Sequence, residues 1–246
     1  RKPRRVNDSC SVGASVRTKR ATVVPTYEKP MTRDEVLADL QKNGSQAYKN
    51  VIAKHGAVEP FFGVKIEYLK VLKKKLKVNQ PLALELYDTG VSEAMYLAGL
   101  IADPQKFTKA QLQKWVKGAN APMHTEYTVP WVTSESPFAR ELAQAWINSP
   151  KEGIASAGWN TLASYVAITP DVDLDLPELQ GLLAKVIQEL EAKPDRVRYC
   201  MNGFVISVGC YVLPLVKEAK AAAKTLGKVV VDMGETACKV PNALAY

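Results

Sequence analysis

The sequence predicts an all-α protein built as an α-solenoid, closed by a short irregular C-terminal cap. Two observations carry this. Residues 82–117 read as three short amphipathic helices in immediate succession, and the middle one is apolar on most of its circumference. Such a helix has to be covered by neighbours on several sides, as in stacked helical layers. Residues 150–165 (PKEGIASAGWNTLASY) and 194–209 (PDRVRYCMNGFVISVG) also align at an offset of 44 without a gap, Pro150 meeting Pro194 and Leu162 meeting Ile206. A period of about 40–47 residues is that of HEAT-type helical pairs, whose stacks carry a concave face suited to binding.

The elements follow in order. Thr32 caps the first helix, with Glu35 as its capping-box partner. Asn43-Gly44 ends it, Ser45 starts the second, and His55-Gly56 ends that. Over 65–78, Ile66, Leu69, Leu72 and Leu76 share one side, opposed by Lys65, Lys70, Lys73, Lys74, Lys75 and Lys77. The first helix of 82–117 ends at the Asp88-Thr89-Gly90 turn. The second spans about Ser92 to Ala102 and stops at Asp103-Pro104, because proline cannot continue the hydrogen-bond ladder and the residue before it avoids the α region. The third starts at Thr108, with Gln111 three residues on as in a capping box.

A helix is expected over 121–132, with Pro122 in its first turn. Another runs from Ser136-Pro137 to Ile147, and Asn148-Ser149-Pro150 breaks the chain. A long apolar helix from Lys151 to Ala167, an acidic loop over 170–177, and helices near 178–191, 195–211 and 214–226 complete the set. After Gly227 the character changes. Val229-Val230-Val231 is β-prone and 232–241 has turn chemistry, which reads as a cap over the last repeat, irregular or with a short strand.

The net charge is +8, but residues 1–20 hold seven basic residues and one acid, Asp8. They supply +6 of it. Residues 1–27 are therefore expected to be a basic arm, disordered to about Thr26, ahead of a single domain at 28–246. The arm has the composition of a nucleic-acid-binding tail, a targeting segment or an unstructured leader, and a chain opening on Arg1 favours the leader. No run approaches the roughly 18 apolar residues of a membrane span. The cysteines, Cys10, Cys200, Cys210 and Cys238, form no CxxC, and the chain has two histidines, so neither a zinc site nor any cofactor is expected. Cys200 and Cys210 read as small buried hydrophobes, which suits the reducing cytoplasm.

Several residues stand out for binding. Tyr127 and Trp131 are one helical turn apart and face either a nucleobase or the core. Asn160 places an amide in an apolar helix, where it needs a partner or a ligand. Arg196, Arg198 and Asn202 open a repeat helix. Arg198 and Asn202 share a face, suited to phosphate recognition or to an interhelical salt bridge. Lys70, Lys73, Lys74 and Lys77 belong to the densest positive patch, a phosphate track or a solvated face. Trp159 reads as core. His124, two residues before Glu126, is expected to meet solvent or a backbone carbonyl.

The segments YKNVIAKHGAVEPFFGVKIEYLKVLKKKLK, ALELYDTGVSEAMYLAGLIADPQKFTKAQLQKWV, ESPFARELAQAWI, AGWNTLA and DRVRYCMN resemble the DNA alkylation repair family with HEAT-like repeats, the AlkD-type alkylpurine DNA glycosylases. The tail LGKVVVDMGETACKVP is similar to a divergent branch. The resemblance runs from about residue 32 to the end, and its most specific part is GVK-x-x-x-L followed by LYD-x-G and ADP-x-x-x-T. It implies a monomeric superhelix holding duplex DNA on a concave basic face, with excision of cationic N3- or N7-alkylated purines. Such a base is already a good leaving group, so the enzyme must chiefly place an anion near the sugar and an aromatic face near the cation. The resemblance puts Glu126 at the family's catalytic aspartate, where the plain alternative is a partly exposed helical glutamate, with Tyr127, Trp131 or Phe204 as the aromatic face and Arg198 with the lysines on phosphates. The sequence departs from the pattern of active members at Pro122 and at Asn202-Gly203-Phe204, where tryptophans are expected, and at Ala155-Ser156, where an arginine is, so the alternative is a non-catalytic HEAT-repeat scaffold that binds protein or nucleic acid.

Overall fold

The computed structural model describes residues 30–246; the basic arm and Cys10 lie outside the described residues. Twelve α-helices follow one another among them: α1 (Arg33–Lys42), α2 (Gln46–Lys54), α3 (Ile66–Leu76), α4 (Gln80–Tyr87), α5 (Ser92–Ile101), α6 (Lys109–Gly118), α7 (Val129–Ser134), α8 (Ala139–Ile147), α9 (Glu152–Ile168), α10 (Leu176–Glu189), α11 (Asp195–Tyr211) and α12 (Val216–Leu226). They stack as an α-solenoid, with no strand among the described residues.

The local signals hold at the helix starts. Thr32 and Thr108 each form a complete capping box, with Glu35 and with Gln111. Ser45 accepts from the Tyr48 N–H; at a helix end, Asp88 is the C-cap of α4, two residues ahead of Gly90, whose φ of 70° suits glycine. The β-prone run at 229–231 is extended but forms no strand, since no partner strand lies beside it. Val229 and Val231 instead bury into the core.

Two apolar clusters meet along α8 and α9. Leu142, Trp146 and Ala157 face the first, which draws on α1 and α3 to α7; Ala143, Ile147 and Trp159 face the second, which draws on α10 to α12. The repeat read at an offset of 44 corresponds to α9 and α11, both 17 residues long, packed with Trp159 against Phe204 at 5.3 Å between ring centroids. Trp159 is core, as its size favours. A Cβ on Gly158 would come within 2.6 Å of the Ile147 backbone nitrogen, so the AGW segment lets α8 and α9 approach.

The GVK segment has a scaffolding role. Gly63 has φ 78°, and a Cβ there would meet the Ser45 carbonyl oxygen at 2.3 Å. The buried Glu93 carboxylate accepts from the N–H groups of Phe62 (3.0 Å), Gly63 (2.6 Å) and Val64 (3.1 Å), which fixes the loop into α3. The tail after α12 is part cap: Asn202 Nδ2 donates to the Pro241 carbonyl at 2.9 Å. The tail also crosses to the N-terminal helices, where Lys54 pairs with Glu235 at 3.5 Å and Cys238 Sγ lies 4.0 Å from His55 Nδ1.

Candidate functional site

The helix expected over 121–132 runs from 122 to 134, but it is not regular. His124–Thr128 is a π-helical turn ahead of α7, closed by the Val129 N–H donating to the His124 carbonyl. Pro130 explains the irregularity. Its nitrogen carries no proton, so the Glu126 carbonyl loses the donor that would close an α-helical bond. Asn160 of α9 supplies one, its Nδ2 donating to the Glu126 carbonyl at 3.0 Å. The amide that looked misplaced in an apolar helix thus serves a backbone break 34 residues away. Turns of this kind recur at functional sites because they re-aim side chains.

Here the re-aimed side chain is Glu126. Its carboxylate is almost wholly buried, at 1% exposure. Arg196 of α11 meets it with a fork: Nε donates to Oε1 at 2.6 Å and Nη2 to Oε2. The guanidinium also lies over the Tyr199 ring at 4.7 Å, with Met233 Sδ near Nη1 at 3.6 Å. Burial pushes the Glu126 carboxyl above the ordinary carboxylate range, and the Arg196 fork pulls against it.

The pair lines a cleft of about 600 Å³. Tyr48 of α2, Ile66 at the start of α3, Tyr96 of α5, Tyr199 of α11 and the tail residues Met233, Thr236 and Cys238 line it together with Tyr127 and Trp131. Trp131 meets both Tyr96 and Tyr127 edge to face, at 5.6 and 5.8 Å. Tyr127 is 44% exposed and Trp131 half-buried, so neither ring is sealed in the core. Burial pushes the Tyr127 hydroxyl up to about 12.

The structure brings Glu126, Tyr127, Trp131 and Arg196 to one cleft and corrects other expectations. Glu126 is not a partly exposed helical glutamate. Phe204 is fully buried and offers no open ring face. Asn202 is buried and holds the tail. Arg198 pairs with Asp195 of its own helix and does not line the cleft, so the arginine that does is Arg196. His124 meets neither solvent nor a carbonyl. It is buried, with Nε2 3.0 Å from Ser92 Oγ and Nδ1 3.4 Å from Thr128 Oγ1, and burial pushes its pKa down to about 4. Cys200 is buried as expected, but Cys210 is exposed. Ile66 sides with the buried Leu69 and Leu72 as expected, packing against their cluster, and being only partly buried it also lines the cleft. At about 100° per residue, Lys70 and Lys73 point within about 40° of it and Lys74 within about 80°. Lys70, Lys73, Lys74 and Lys77 are exposed and make no ion pair among the described residues.

Residue-by-residue reading missed Tyr48, Tyr96, Tyr199 and the tail wall. It also missed that Cys238, which had no histidine near it in sequence, lies beside His55 across 183 positions. No local signal announces these neighbours, because they depend on the two ends of the stack meeting. One signal for the site was readable: a proline four residues after an acid frees the acid's carbonyl.

An all-α stack of short helical pairs, with an aromatic cleft and a lysine-rich α3, defines the class as a HEAT-like repeat protein. Residues 36–226 match the family model described as "DNA alkylation repair enzyme". The chain belongs to that family. It is 32% identical over 221 residues to the uncharacterized proteins Lin0241 of Listeria innocua and Lmo0209 of Listeria monocytogenes, covering 88% of this chain and 96% of each of them. A solved structure described as "a new family of proteins related to the HEAT-like repeat DNA glycosylases with affinity for branched DNA structures" superposes with a TM-score of 0.80 at 33% identity, over 87% of this chain and 92% of that one.

Proposed function

We propose that this protein binds duplex DNA, including its branched forms, as a monomer, through phosphate contacts along α3 and the mouth of the cleft, and that it does not excise bases. The observation that carries the binding half is the set of exposed lysines on α3, which make no ion pair among the described residues and share the helix whose first residue, Ile66, borders the cleft. Unpaired lysines release counterions on meeting phosphates, so the affinity falls steeply with salt. Affinity for branched DNA in a protein of the same family and fold supports the reading. The observation against excision is the Arg196 fork. A carboxylate already holding two N–H donors in a buried pair has little charge left for an oxocarbenium-like sugar. Glycosylase action on cationic alkylpurines is the second reading, favoured by Glu126 standing at the floor of an aromatic cleft.

Two assays on one preparation decide between them. Release of 7-methylguanine from methylated duplex is measured alongside binding to duplex and three-way junction at 50 and 200 mM salt, an interval over which about six phosphate contacts cost at least ~10³ in affinity. The expected result is no release, salt-sensitive binding, and weaker binding with a shallower salt slope in a Lys70→Glu, Lys73→Glu double variant. Release by the wild type that is lost in Glu126→Gln would establish the second reading. No binding to either DNA at low salt would overturn both.

A further inference from the structure

The cleft has features that paired DNA does not use. In a duplex every base is stacked and paired, and only phosphates and groove edges face outward. A recess of about 600 Å³ lies within the 300–1,000 Å³ range that holds one small molecule. One of its rims is closed: Lys54 and His55 at the end of α2 touch Glu235 and Cys238 of the tail, joining the two ends of the stack beside the opening. Its walls are mainly aromatic and apolar, and its charged floor is already neutralised, Glu126 by Arg196. A bare phosphate would find no unpaired cation on that floor. A flat heterocycle would find two partly open rings, Tyr127 and Trp131, set at an interplanar angle of 63°.

We propose that the cleft takes one unpaired nucleobase of a DNA strand, stacked on Tyr127 or Trp131, while the flanking phosphates run along Lys70 and Lys73. This rests on the DNA-binding reading above and names what the recess adds to it. The path follows α3, since Ile66 borders the recess and, at about 100° per residue, Lys70 and Lys73 fall within about 40° of it on the helix. Branch points supply such a base, because strands that change partner leave nucleotides unstacked. Base–aromatic stacking tolerates every sequence, so recognition here reads the unpaired state and not the letter.

Trp131 gives the test its own signal. The chain has four tryptophans, and Trp115, Trp146 and Trp159 are buried, so a ligand in the cleft alters the emission of Trp131 first. The wild-type chain is titrated with three versions of one three-way junction: one unpaired nucleotide at the branch, an abasic residue at that place, or full pairing. The base-bearing junction is expected to bind about tenfold more tightly than the abasic one and to quench the emission, which the other two do not. Tyr127→Ala, a change at a partly exposed side chain, is expected to bring the base-bearing junction down to the abasic affinity. Equal affinity for base-bearing and abasic junctions with unmoved emission overturns the proposal and leaves DNA binding standing. No binding to any of the three at low salt overturns both.

Discussion

Two buried glutamates, both on the N-terminal half of the stack, serve opposite purposes. Glu93 sits under the loop into α3 and spends its carboxylate on three backbone N–H groups of neighbouring residues. Glu126 sits at the cleft floor and spends its carboxylate on one side chain, delivered from 70 positions away. The first arrangement is closed: every acceptor meets a donor that the loop cannot withdraw. The second joins α11 to the π-turn through an arginine that is itself 26% exposed. Burial of a carboxylate is therefore not the mark of a site. The kind of partner is, because a side-chain partner facing a cleft can exchange and a backbone partner cannot.

The contrast can be broken by substitution. Glu93→Ala leaves three N–H groups without acceptors and is expected to cost more than about 3 kcal/mol in denaturant unfolding, the largest effect proposed for a single change in this molecule. Glu126→Gln keeps the shape and loses charge at a partly solvated partner, for about 2 kcal/mol. Equal losses would make Glu126 scaffold as well.

Acid sharpens the contrast on the cleft side. His124, beside Glu126 on the π-turn, is held neutral in the fold with its pKa pushed down to about 4 by burial. The unfolded chain takes up that proton near pH 6.5 and the folded chain only near 4, so stability is lost as pH falls between those values. The loss approaches about 3 kcal/mol at pH 4. Melting temperatures from pH 7 to 4 should fall in the wild type and fall less in His124→Gln. An unchanged slope would mean that His124 is not the group that titrates.

The smallest effect probes the π-turn itself. Asn160→Ala removes the donor to the Glu126 carbonyl and should cost about 1 kcal/mol. Pro130→Ala returns a backbone N–H at the position four residues on, so the double variant should regain most of the loss. Additive losses in that cycle would show that the asparagine and the proline are independent.

Much of the fold was legible in the chain. Capping boxes at Thr32 and Thr108 and the Asp103-Pro104 stop report hydrogen bonds within a turn or two, and the 44-residue repeat shows its period in the sequence itself. The site was legible in fragments. Tyr127, Trp131, Asn160 and Arg196 stood out by type, but Arg198, Asn202 and Phe204 stood out equally and belong to an intrahelical pair, a tail anchor and the core.

What the amino-acid sequence determined by itself was the solenoid: where each helix begins and ends, which faces are apolar, and that lysines crowd α3. Only the tertiary structure decided which arginine meets Glu126, that Asn160 serves the carbonyl freed by Pro130, and that the tail closes on α2 beside His55. The physical reason is range. Caps and apolar stripes depend on neighbours three or four residues away, whereas the cleft is made where segments 34, 70 and 183 residues apart meet, and no local pattern encodes the curvature of the stack that brings them together.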